Sequence, residues 1–141
     1  MSTNPRPRRQ AAAIPVRRKG DRLQVCLIRR RGSKSWGIPK GLVDRGDTSE
    51  QTALNEAWEE AGLKGRLIGK PLGTYEYEKW EMTLAVVVFA MHVLEESDDW
   101  EEATLRVRRW VSLREAASLL TKHPARLMLA GARSTALSRI R

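Results

Sequence analysis

At 141 residues, with 41% hydrophobic and 30% charged side chains, the chain is long enough to bury a core in one domain without disulfides or metal staples. Its longest apolar run, Leu84 to Met91, is too short for a membrane-spanning helix, and the single Cys26 excludes an internal disulfide; the cytoplasm is the expected location, with no membrane partner. The net charge of +9 sits at the ends: +6 over residues 1–22 and +4 over 125–141 leave the middle at −1, so the body is no polycation, while RNA reaching over the basic ends stays a candidate partner.

Residues 1–10 are basic and have nothing to bury, so a disordered tail is expected there, followed by one domain over 11–141. Ala11 to Arg18 and Arg22 to Arg30 read as extended segments around a Lys19-Gly20-Asp21 turn. A basic loop, Arg29 to Ser35, then leads into Trp36-Gly37-Ile38-Pro39-Lys40-Gly41. That loop would bring Arg29, Arg31, Lys34 and Lys40 to the mouth of the next element, and all four are candidates for binding phosphate. Lys40, beside Gly41, is the best placed of them.

From Gly41 a glycine-led loop runs into a helix. Thr48 is the expected N-cap, with Gln51 completing a capping box, and Gly62 is the expected left-handed stop. At about 100° per residue, Glu59 and Glu60 flank Glu56 on one side, while Leu54, Ala57, Trp58 and Ala61 gather on the other and should face a core. Three glutamates at spacings of three and four repel one another, so something positive belongs on that face. Oxygen-only donors point to a hard cation, Mg²⁺ before Ca²⁺ or Mn²⁺.

Downstream, Arg66 to Tyr77 reads as a strand broken by Gly69, Pro71 and Gly73, with a turn at Lys79-Trp80. Thr83 to Val93 is an apolar strand buried on both faces, which a sheet covered by helices on both sides explains. Glu95 to Glu102 reads as an acidic loop, Arg106 to Val111 as a short strand, and Ser112 with Glu115 as a second capping box opening a helix through Leu120. Ala125 to Ile140 is expected to be one helix, packing through Leu127, Leu129 and Leu137. His92 should pack within its strand and His123 should cap or solvate, which leaves no basis for a zinc site.

The stretch Gly41 to Leu63 resembles the Nudix box, the signature of the Nudix hydrolases. Gly41, Glu56, Glu59, Glu60, Gly62 and Leu63 fall on its pattern with the spacing intact. Asp47 stands where the family has Glu, and Asn55 where it has the Arg whose guanidinium steadies a catalytic glutamate. Glu59 to Gly65, Val93 to Glu96, Asp99 to Glu102 and Arg108 to Trp110 are similar in order to the diphosphoinositol polyphosphate phosphohydrolase branch. Pro39-Lys40-Gly41 looks more like the dinucleoside polyphosphate hydrolases.

The resemblance implies an α/β (α+β) fold with a mixed β-sheet sandwiched between α-helices, and an Mg²⁺-dependent enzyme, Mn²⁺ being a substitute. It implies hydrolysis of a phosphoanhydride bond in a small-molecule substrate, either a dinucleoside polyphosphate or a diphosphoinositol polyphosphate. Glu56, Glu59 and Glu60 would hold the metal, joined by the Gly41 carbonyl, and the same glutamates are the catalytic candidates, with Glu56 the in-box general base. Glu95, Glu96, Asp98 and Asp99 are base candidates outside the box, and Trp36, Tyr75, Tyr77, Trp80 and Trp100 could stack a base. Family habit adds a homodimer. The alternatives are an RNA 5′ pyrophosphohydrolase, an oxidised nucleoside triphosphate pyrophosphatase, or a binding module with weak catalysis.

Overall fold

A computed structural model describes residues 6–140. Six strands and three helices succeed one another as β1 (Arg8–Lys19), β2 (Arg22–Arg30), β3 (Lys40–Leu42), α1 (Ser49–Ala61), β4 (Leu63–Lys79), β5 (Met82–Glu96), β6 (Arg106–Ser112), α2 (Leu113–Leu119) and α3 (Leu129–Arg139), with a 3₁₀ turn at Pro124–Met128 before α3. The strands form one sheet in the order β4-β5-β1-β2-β6, and β3 lies beside the first half of β1. β1 and β5 run parallel while every other pairing is antiparallel, so the sheet is mixed.

β1 is central because Ala11 to Val16 are all buried, and its alternation divides the core in two. Ala12, Ile14 and Val16 point toward α2 and α3, where Leu120, Leu129, Ala132 and Ala136 meet them. Ala11 and Ala13 point the other way, onto Ala53, Ala57 and Ala61 of α1. Alanine on both surfaces lets α1 lie close against the sheet, which sets the height of its glutamates over β3. The expected sandwich of a mixed sheet between helices is therefore the observed architecture.

Several elements differ from the sequence reading. β1 begins at Arg8, so Arg8 to Gln10 are strand rather than tail: they pair with Leu84 to Val86, and main-chain hydrogen bonds need no apolar side chains. The rest of the expected tail, residues 1–5, lies outside the described residues. β4 is a single strand with an irregularity between Ile68 and Gly73, where the three predicted breakers sit. β5 runs on through Glu96, which takes Glu95 and Glu96 out of the acidic loop; each pairs across to β4.

The C-terminal segment is not one helix. His123 Nδ1 accepts from the Ala125 amide and starts a 3₁₀ turn at Pro124, after which α3 begins. That offset rotates the faces: Leu129 is buried as expected, whereas Leu127 is 83% and Leu137 49% exposed, and the alanines take the packing. On α1, Leu54 stays at the core margin, while Trp58, expected in the core, is half-buried outside it with Lys64 Nζ 4.5 Å over its ring. Glu60 is instead buried with the alanines, since seven residues separate it from Ala53, a rotation that returns it to within about 20° of the same line.

Candidate active site

Helix α1 is fixed at both ends. The Thr48 hydroxyl accepts from the Gln51 amide, and Gly62 closes the helix at φ 68°, donating to the Ala57 and Trp58 carbonyls. The segment 97–105 wraps this C-terminal end. Trp100 Nε1 donates to the Glu60 carbonyl (3.1 Å), the Glu102 amide to the Glu59 carbonyl (3.1 Å), and Arg108 Nη1 to the Ala61 carbonyl (2.7 Å). A cation at a helix C-terminus also suits the helix dipole. These contacts place Glu101 and Glu102, far downstream in sequence, against the glutamates of α1.

Glu60 is the most enclosed of the three, at 8% exposure. Its Oε1 accepts from the Lys40 amide (3.0 Å) and its Oε2 from Arg106 Nη2 (2.8 Å). Arg106 Nε in turn donates to Glu102 Oε1 (2.7 Å), so one guanidinium joins α1 to the wrapping segment. Burial pushes the Glu60 pKa up to about 7, with the Lys40 amide and Arg106 opposing it in part. Glu56 is half-buried and rises to about 8, first through burial and then through repulsion from Glu60, Glu59 and Glu102. Glu59 is raised by burial and by Glu101 and Glu102. The Glu56 carboxyl group presses on Gly41, where an added Cβ would lie 2.1 Å from Oε1.

Beside Glu60 opens a cleft of about 350 Å³ whose walls carry Arg29, Arg30, Lys40, Lys79 and Arg106. Lys40 Nζ donates to Tyr77 Oη (2.6 Å) and lies 4.0 Å above that ring, and Tyr77 Oη donates to Gln10 Oε1 (2.7 Å). Arg29 sits 5.2 Å from the Trp36 ring and donates to the Ser33 carbonyl. Of the four phosphate-binding candidates, Arg29 and Lys40 thus line the cleft. Arg31 is turned onto the Ala103 carbonyl (3.1 Å), and Lys34 borders a neighbouring depression with Leu119 and Lys122. A larger, mostly apolar hollow of about 430 Å³ on the α1 face, floored by Val87 and Phe89, carries a single carboxylate, Glu50, and is not where this chemistry gathers.

Among the aromatic candidates, Trp36 and Tyr77 line the cleft and Trp80, 79% exposed, stands beyond Lys79 at the β4–β5 turn. Trp100 is structural, its indole tied to Glu60 and its ring covered by Arg108 at 4.2 Å. The outside base candidates face elsewhere: Glu96 pairs with Arg17 and Arg108, Asp98 is exposed beside Arg108, Glu95 pairs across to Lys64, and Asp99 is exposed. In the same acidic run, Glu102 reaches the site through Arg106, and Glu101 comes near enough to raise the Glu59 pKa. Arg106 and Gln10 were not singled out by sequence either, although the Glu102–Arg106 spacing of four was visible there.

The donor set suits a hard divalent cation. It is all oxygen, and Glu56 is raised by burial and then by Glu60, Glu59 and Glu102, with Arg106 opposing only in part. Among the described residues no three such groups converge on one point as they stand, because Glu60 is held by Lys40 and Arg106. Binding an ion at all three glutamates therefore needs side-chain rotation.

The raised pKa values make stability depend on pH. Glu56 and Glu60 have folded-state pKa values of about 8 and about 7 against 4.5 unfolded, so the folded chain binds more protons across that interval. Stability of the metal-free protein is expected to fall as pH rises from about 4.5 to about 8, and to level off below and above. Protons and metal compete for the same oxygens, so stabilisation by Mg²⁺ should grow over the same interval. Thermal melts at pH 5, 6, 7 and 8 with and without the ion read both slopes, and metal-free stability increasing with pH would contradict them.

Comparison with known proteins bears on the family and the fold. The NUDIX domain family matches residues 7–130. Nudix hydrolase 4 of Arabidopsis thaliana is 38% identical over 96 residues, covering 67% of this chain and 46% of that protein. Diphosphoinositol polyphosphate phosphohydrolase 3-alpha of Mus musculus is 28% identical over 118 residues, covering 82% and 71%. The crystal structure of the C. elegans Ap4A hydrolase superposes with a TM-score of 0.72 at 20% identity, covering 94% of this chain and 99% of that one, a likeness of fold. The chain spans about half the length of the plant relatives that it matches. With the family's domain extending over residues 7–130 and its box glutamates gathered beside a cationic cleft, the chain belongs to the Nudix family.

Proposed function

We propose that the protein is an Mg²⁺-dependent pyrophosphohydrolase that cleaves a phosphoanhydride bond in a dinucleoside polyphosphate or a diphosphoinositol polyphosphate. The observation that carries this reading is the adjacency of Glu60 to the cleft walls bearing Arg29, Arg30, Lys40, Lys79 and Arg106. Such a pocket places dense positive charge where a polyphosphate would lie and the Glu60 carboxylate in its wall, a distribution that suits phosphoanhydride hydrolysis.

The placements support the following roles. Glu56, Glu59 and Glu60, with the Gly41 carbonyl, would hold the cation. When bound it shields the phosphates, withdraws charge from the bridging oxygen and acidifies water. Lys40, oriented by Tyr77 and Gln10, and Arg29, backed by Trp36, hold the phosphate chain in the cleft. Glu56, the base candidate within the box, lies against Gly41 and accepts the proton of the attacking water. His123 and Trp36 also line the cleft and would meet the remainder of the substrate.

Cys26 has no part in this chemistry. It is buried, its thiol pKa is pushed up to about 12 by that burial, and it is compatible with a reducing cytoplasm. The reading is tested by metal-dependent release of phosphate or nucleotide from candidate substrates.

A further inference from the structure

We propose that Arg106 is the positioning residue of this site, holding Glu60 and Glu102 in register in place of the uncharged Asn55 of the helix. This role rests on the proposed function, in which Glu60 helps to hold a divalent cation.

Among the described residues, Arg106 makes the one ion pair to any of Glu56, Glu59 and Glu60. It does so as a fork: Nη2 meets Glu60 at 2.8 Å and Nε meets Glu102 at 2.7 Å, with side-chain exposures of 15% for Arg106, 10% for Glu60 and 24% for Glu102. A planar guanidinium fixes the separation of two carboxylates in a way that an ammonium cannot. The fork is itself mounted rigidly, since Arg106 opens β6 and pairs with Arg30 of β2 in the ladder. Asn55 is exposed on α1, and its side chain makes no hydrogen bond to any glutamate among the described residues.

This arrangement has opposing consequences for metal and for turnover. The guanidinium charge sits on the same carboxylates that a cation would use, so it weakens metal binding by repulsion and by occupying Glu60 Oε2. At the same time it keeps Glu60 and Glu102 from swinging apart. Removing the charge should tighten the metal and slow the reaction, a split that simple loss of structure does not produce.

The test measures Mn²⁺ affinity by calorimetry, kcat and KM with the best substrate, and melting temperature, for the wild type, Arg106→Gln and Arg106→Lys. Arg106→Gln is expected to bind Mn²⁺ about 3- to 10-fold tighter and to lose about 10-fold or more in kcat, with KM moving less. Arg106→Lys keeps the charge and loses the fork, so Mn²⁺ affinity should stay near wild type while kcat falls by an intermediate factor. Wild-type kcat in folded Arg106→Gln, or Mn²⁺ binding lost together with kcat, overturns the proposal. Should Arg106→Gln fail to fold, Arg106→Lys decides: wild-type kcat there overturns it, and lowered kcat at unchanged Mn²⁺ affinity supports it. A wild type that binds Mn²⁺ but turns over no substrate sinks the functional reading instead. The Mn²⁺ arm then decides for Arg106 alone, and unchanged or weaker binding in Arg106→Gln overturns its role.

Discussion

Glu60→Gln is expected to lower kcat by at least about 10²-fold while the protein stays folded. The substitution keeps the shape of the side chain and leaves an oxygen able to accept from the Lys40 amide. It removes the negative charge at the most enclosed member of the glutamate set. The amide group would also face Arg106 with a donor in place of an acceptor, yet Arg106 keeps Glu102 and remains anchored. The fold should tolerate this, because burial raises the Glu60 pKa to about 7, so an uncharged group there costs little near neutral pH. Melting temperature should therefore move by no more than about 5 °C. Unchanged turnover in a folded Glu60→Gln protein would take Glu60 out of the chemistry.

Gly41→Ala tests the other side of the same site. An alanine Cβ would lie 2.1 Å from Glu56 Oε1, 2.3 Å from its Cδ and 2.8 Å from its Cγ, so the two groups cannot coexist as placed. The clashing atoms belong to the end of a flexible side chain, and the backbone at Gly41 is not in the left-handed region. The cheap relief is for Glu56 to rotate away. The expected result is a folded protein with near-native melting temperature and about 10²-fold less activity. If displacement of Glu56 is the whole effect, Gly41→Ala added to Glu56→Gln should cost almost nothing further, since both changes remove the same group. Additive losses in that double variant would mean that Gly41 acts by another route.

Local features were the ones legible in the sequence. Thr48, Gln51 and Gly62 mark the ends of α1 because capping is settled within four residues, and the observed helix keeps those limits. The apolar run within β5 announced a sheet covered on both faces for the same reason. The glutamate repulsion even required a positive partner, and one exists.

Its identity was not legible. Arg106 lies 46 residues from Glu60, and it meets that carboxylate only because β6 pairs with β2 and the segment 97–105 folds over the end of α1. No periodicity in either stretch carries that information. Glu102 was hidden for a related reason, since an acidic run reads as a uniform patch until backbone contacts choose which member turns inward. Arg31 and Lys34 show the converse. Nothing in a run of basic residues says that Arg31 will be spent on the Ala103 carbonyl while Arg29 faces the cleft. The C-terminal helix was misread because His123 and Pro124 start a 3₁₀ turn, and a short shift in helix type moves every later residue to a new face.

The measurement that bears most directly on the proposed activity is release of phosphate and nucleotide from a substrate panel with and without Mg²⁺, run on the wild type and Glu60→Gln. The panel would hold diadenosine polyphosphates, diphosphoinositol polyphosphates, nucleoside triphosphates and 5′-triphosphorylated RNA. Metal-dependent turnover of a diadenosine polyphosphate or a diphosphoinositol polyphosphate, lost in the variant, is the expected result. Ligand binding without turnover of any of them would mean a binding module, and turnover confined to RNA or nucleoside triphosphates would place the substrate elsewhere; either contradicts the account.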